Sequence, residues 1–235
     1  RSIEEEDRAN EPRVFETKDL FGQDLSVPEG LDEDVIETTR SLMKQLLSAV
    51  SLLPEGDPFS QLDGSLSDEQ AEKHANILDI VKRLSALEPL PSSRCCVEWT
   101  QEGRSLLHHI IKNQKFVLMD HLIAEAKVDQ NIASLLIKQL TSRDPFGETP
   151  FLSAVRHNNL VAIQQIVHLV SNTLGFQVVE RVIHQRCGSI AKKSPYTGFN
   201  CAFLSVVTNS LNVAHALFQP PSDPSDWRSF VPLCD

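Results

Sequence analysis

The chain has 235 residues, 41% of them apolar, an ordinary globular composition that supports one or two domains with a sizeable core. The net charge of −10 is unevenly placed: residues 1–79 hold 20 acidic and 7 basic side chains, and the remainder hold 12 and 15. The acidic front end disfavours electrostatic nucleic-acid binding, and no run of about 18 apolar residues is present to cross a bilayer.

Residues 1–30 are charged and aperiodic and are expected to form an acidic extended arm, with short apolar islands at Val14-Phe15 and Leu20-Phe21. The arm lacks the basic-then-apolar order of a secretory leader, and its start at Arg1 points to a fragment of a longer protein or to a processed chain. Over 31–53, Ile36, Thr39, Met43, Leu46, Val50 and Leu53 recur at three- and four-residue spacing, which predicts an amphipathic helix that Pro54 stops. Asp32, Glu33 and Asp34 suit its N-terminus. Pro54, Gly56, Pro58 and Gly64 mark a loop over 54–66. A second helix is predicted over 67–87, opened by Ser67 and Gln70 at capping-box spacing and striped by Ala71, His74, Ile77, Leu78, Val81 and Leu84. Pro89 and Pro91 end it. Residues 31–91 are therefore expected to be a helical hairpin that caps whatever follows.

Residues 92–219 contain a degenerate repeat. Its clearest copy is Asp144-Pro145-Phe146-Gly147-Glu148-Thr149-Pro150-Phe151-Leu152-Ser153-Ala154-Val155, followed by Asn158-Asn159-Leu160 and by Ile163, Ile166 and Val167. Asp and Gly suit a tight turn, Thr149 caps the helix that Pro150 begins, and Asn158 tolerates a positive φ at its end. Gly103-Arg104-Ser105-Leu106-Leu107-His108 and Gly198-Phe199-Asn200-Cys201-Ala202-Phe203 open two further copies in the same register. This pattern resembles the ankyrin repeat over residues 103–218. The resemblance implies an all-α, ankyrin-like helical solenoid with short hairpin fingers, preceded by the N-terminal helical pair. The copies lie 44 and 51 residues apart, against an ankyrin period of about 33. The surplus carries helical stripes, one at Ile132, Leu135, Leu136 and Leu140 after an Asp129 N-cap. The other, Phe176, Val179, Val182 and Ile183, is closed by Gly188 as an expected C-cap. Extra or lengthened helices are expected. The proline-rich tail, residues 220–235, cannot continue a helix, and Trp227, Phe230 and Val231 are expected to cover the open end of the last repeat.

No P-loop, dinucleotide fingerprint, zincin, nucleophile-elbow or Cys-x-x-Cys motif occurs, so no catalytic residue, cofactor or metal ligand is assigned. His108 and His109 are adjacent on one helix and diverge too far for a joint metal site. The resemblance makes His108 structural, bonded to the finger backbone. Cys95-Cys96 has no partner pair at zinc spacing. Five irregularly spaced cysteines and no Asn-x-Ser/Thr sequon favour an intracellular location, cytoplasmic or nuclear.

The resemblance implies a non-enzymatic protein–protein interaction module, a scaffold or substrate-recognition part of a larger intracellular protein. Its partners would be other proteins, with no nucleic acid and no membrane. The binding candidates are the fingertip residues Arg104, Phe146, Glu148 and Phe199, together with Lys112, Asn113, Arg156 and His157 after the first helices. Two alternatives stay open at this level: a structural spacer or assembly subunit, and an enzyme with an unrecognised site around His108, His109 and Asp120.

Overall fold

The computed structural model describes residues 33–53, 67–87, 104–188, 195–219 and 228, and these contain ten α-helices around one connected apolar core. The acidic arm, the 54–66 loop, Cys95-Cys96, Gly103 and the Trp227, Phe230 and Val231 of the tail lie outside the described residues.

Helices α1 (Glu33–Ser51) and α2 (Asp68–Ser85) pack on each other. Thr39, Leu42, Met43, Leu46 and Val50 form the buried side of α1, while Ile36 is only half-buried. The capping box of α2 is complete: Gln70 N donates to Ser67 Oγ (3.3 Å) and Ser67 N donates to Gln70 Oε1 (3.2 Å). The expected stripe of α2 needs one correction. Ala71, in the first turn, is exposed, and the buried row begins one turn later at His74 and takes in Ile80 beside Ile77, Val81 and Leu84.

Three units follow. The first holds α3 (Leu106–Lys112), α4 (Phe116–Ala126) and α5 (Gln130–Gln139). The second holds α6 (Pro150–Arg156), α7 (Leu160–Leu174) and α8 (Phe176–Ile183), and the third α9 (Cys201–Val207) and α10 (Leu211–Phe218). Each leading helix has seven residues and starts after Ser105, Thr149 or Asn200. Thr149 Oγ1 accepts from Leu152 N (3.4 Å) and Asn200 Oδ1 from Phe203 N (3.0 Å). Each leading helix ends in a left-handed residue: Gln114 (φ 52), Asn158 (φ 55) and Asn209 (φ 55). One residue on, Lys115 N donates to Ile110 O (3.0 Å), Asn159 N to Ala154 O (2.9 Å) and Ser210 N to Ser205 O (2.8 Å). The three turns are thus one structure written with different letters, offset by the 44 and 51 residues that separate the opening glycines.

The leading helices pack in succession, α3 on α6 and α6 on α9, and the second helices do the same, α4 on α7 and α7 on α10. The surplus sequence forms α5 against α4 and α8 against α7. Asp129 caps α5 as expected, its Oδ1 accepting from Asn131 N (2.8 Å). Gly188 does not cap α8. That helix stops at His184, and Gly188 lies four residues beyond it against the second finger, its N–H donating to Gly147 O (2.8 Å) and its Cα packed close to the Arg143 side chain. The N-terminal pair closes the near end, α1 on α3 and α2 on α5.

Candidate functional site

The second finger is built around Asp144. Gly147 N donates to Asp144 O (2.9 Å), closing a turn with Pro145 second and Gly147 fourth, and Asp144 N donates to Glu148 O (2.9 Å). Asp144 Oδ1 accepts from Phe146 N (2.9 Å) and Glu148 N (3.0 Å). Three ties hold this turn, two of them from distant segments. His108 Nε2 lies 3.0 Å from Glu148 O, Arg143 Nη1 donates to Gly147 O (2.8 Å) and to Arg186 O (2.6 Å), and Gly188 N donates to Gly147 O (2.8 Å). The same 186–188 segment reaches the third finger, with Cys187 N donating to Phe199 O (2.9 Å) and Gly198 N to Cys187 O (2.8 Å).

The buried His108 donates from Nε2 to that carbonyl, so its Nδ1 accepts from Ser105 Oγ (2.8 Å) and Ser105 N (3.3 Å). Desolvation pushes its pKa down to about 3, so the ring is neutral. The histidine expected to bond the finger backbone does so.

At the tip, four charged side chains meet one aromatic ring. Arg156 Nε is 2.7 Å from the Glu148 carboxylate, and Arg104 Nε is 3.8 Å from that of Asp144. Both carboxylates are sequestered from solvent, and burial raises both above the usual range, Glu148 to about 7. The Phe146 ring remains 41% exposed, with the Arg156 guanidinium carbon 4.9 Å and that of Arg104 6.0 Å from its centroid. Arg156 Nη2 lies 3.3 Å from His157 Nε2, and His157 leads into a cleft of about 370 Å³ beside the turns of all three units. Lys112, Gln114, Asn158 and Asn212 line it with the apolar Ile111, Phe116 and Leu160.

The structure therefore brings Arg104, Phe146, Arg156, His157 and Lys112 onto one continuous surface. It corrects the expectation for Glu148, whose side chain is fully buried and accepts from Arg156 Nε (2.7 Å) instead of facing solvent. Phe199 is half-buried between Tyr196 (6.2 Å) and Phe203 (6.3 Å) and packs against the core instead of standing free at its tip. Asn113 is also half-buried, its Nδ2 donating to His109 O (2.9 Å). His108, His109 and Asp120 do not share a pocket: His108 is enclosed, and Asp120 accepts from Gln165 Nε2 (2.7 Å) on α7. Sequence reading missed Gln114 and Asn212 in the cleft and Arg143 and Gly188 behind the finger. Gln114 alone had a signal, since it occupies the register position of Asn158.

Among the described residues, no group of three or more His, Cys, Asp and Glu side chains could hold a metal ion, and no helix is long and apolar enough to cross a membrane. Comparison with protein-family models, with curated proteins and with solved structures found no match.

Proposed function

We propose that this chain is a protein–protein interaction module, an ankyrin-like helical solenoid within a larger intracellular protein. It recognises its partner through the second fingertip and the adjoining cleft. The observation that carries the reading is the part-exposed Phe146 residue, its ring approached by both Arg104 and Arg156, on a turn tied to two distant segments. Aromatic and arginine side chains dominate binding energy at protein interfaces, and a tip already fixed in place loses little entropy on binding. The register of caps, left-handed turns and successive packing of leading helices supports the ankyrin-like assignment. Of the titratable groups with displaced pKa values, His108, Asp144 and Glu148 are committed to holding the finger, which weakens the enzyme reading around it.

The test is affinity capture with the whole 235-residue chain against a Phe146→Ala/His157→Ala variant, both side chains being exposed and outside the core. Loss of a captured protein in the variant, with the melting temperature unchanged, supports the assignment. Identical capture by both chains overturns the placement of the site. Capture of nothing by either favours the spacer or assembly-subunit reading.

A further inference from the structure

The two ends of the helical array differ. At the near end α1 presents Glu33, Glu37, Arg40 and Lys44 to solvent, the polar outer face that a terminal unit needs. At the far end Phe203 (51% exposed), Val206 (60%), Val207 (55%), Leu211 (65%) and Phe218 (49%) stand open on α9 and α10. The repeat register shows what these positions are. Moved back by the 51-residue offset, Phe203, Val206 and Phe218 become Leu152 (0% exposed), Val155 (0%) and Val167 (9%), buried in a unit that the third covers. The far face of the third unit is therefore a stacking face that no stacking layer covers among the described residues.

We propose that a second copy of this chain covers it, far end against far end across a two-fold axis. Neither α9 nor α10 carries an Asp, Glu, Lys or Arg, so two copies of the face meet without like charges opposed. The alternative head-to-tail stack would bury the charged outer face of α1 against these apolar residues at a large desolvation cost. The five side chains offer roughly 100 Å² each, so a symmetric pair buries roughly 1,000 Å² in all, the lower limit for a specific interface. A dimer of that size is weak and concentration-dependent. The fingertip belongs to the second unit and the cleft meets α10 only at Asn212, so Val206 variants test this face separately from the Phe146 and His157 variants.

Sedimentation velocity on the whole chain over about a hundredfold range of concentration tests it. The expected result is a monomer–dimer transition in the micromolar range. Val206→Asp abolishes it without lowering the melting temperature, and mixing Val206→Asp with Val206→Lys chains restores it. A wild-type chain that stays monomeric throughout overturns the proposal. So does a dimer that Val206→Asp leaves intact. A full chain that is monomeric, while a chain ending at Gln219 dimerises, also overturns it and assigns the face to the chain's own C-terminal segment.

Discussion

Gly147→Ala should destabilise the fold by about 3 kcal/mol, whereas Gly198→Ala, at the matching position of the next finger, should cost only about 1 kcal/mol. The two glycines have nearly the same backbone, φ +79 and +83, so left-handed strain contributes equally. They differ in what a Cβ would meet. At Gly198 nothing lies within 4 Å. At Gly147 the new carbon would fall well inside contact with the Gly188 carbonyl oxygen and 2.8 Å from its carbon. Both are main-chain atoms and cannot rotate away. The 186–188 segment must withdraw, which breaks Gly188 N to Gly147 O (2.8 Å) and strains the Arg143 bonds to Gly147 O (2.8 Å) and Arg186 O (2.6 Å). One broken and two weakened hydrogen bonds, about 2 kcal/mol together, added to the strain, give the larger figure. Urea unfolding followed by circular dichroism, with matching m-values, measures both variants. If the two differ by less than about 0.5 kcal/mol, the finger is not held as described.

The pH response should contain two opposed limbs. His108 has a folded pKa lowered to about 3 from an ordinary 6.5, so its stabilisation is complete above about 6.5 and is lost as pH falls toward 3. His108→Leu, which takes the residue found at the matching position 152, should flatten that limb in melts over a pH series. Glu148 is raised to about 7 from 4.5, so its contribution is complete below about 4.5 and is lost as pH rises through 7. Glu148→Gln should remove that second decline, and an unchanged slope between pH 4.5 and 7 would contradict the buried placement. Gln114→Gly should raise stability by about 0.5–1 kcal/mol, because φ 52 strains any residue with a Cβ. Asn158→Gly should gain nothing, since the Asn158 Oδ1 bond from Val213 N (3.1 Å) is lost with the side chain. Ala154→Leu should overpack the fully buried contact of α6 and cost about 1–3 kcal/mol, and an unaltered melting temperature would refute the assigned register.

What was legible in the sequence was local. The Ser67–Gln70 capping box, the Thr149-Pro150 helix start and the Asp129 cap each depend on residues within four positions, so the letters suffice. The positive φ of Asn158 belongs to the same class. What was not legible depends on tertiary packing, at long range for His108 with Glu148 and Arg143 with Gly188, and at short range around the Phe199 ring. The resemblance points His108 toward the finger backbone, but nothing near Glu148 in sequence says that its carbonyl is the acceptor or that the 186–188 segment bonds the same finger. A glycine after α8 looks like a C-cap until Arg143, 45 positions earlier, is seen against it. Phe199 looked like a free tip because its neighbours Tyr196 and Phe203 had not been placed around it.

The degeneracy of the repeat has a physical explanation in the residue that opens each second helix. Lys115, Asn159 and Ser210 have little chemistry in common, yet each donates a side-chain hydrogen bond back to the main chain of the preceding helical layer. Lys115 Nζ reaches Leu53 O, Asn159 Nδ2 reaches Ile111 O (3.4 Å) and Ser210 Oγ reaches Arg156 O (3.1 Å). A helix C-terminus leaves carbonyls without intrahelical partners, and a buried one must find a donor. The position demands a donor of sufficient reach, and a lysine, an amide or a hydroxyl satisfies it according to the local gap. The conserved quantity between units is thus the bond and not the residue, which is why similarity of letters fades while the register holds. The same logic separates the tip from its support. Phe146 makes no such bond through its ring, whereas Asp144, Glu148 and Arg143 are fixed by the main-chain and ionic contacts they make.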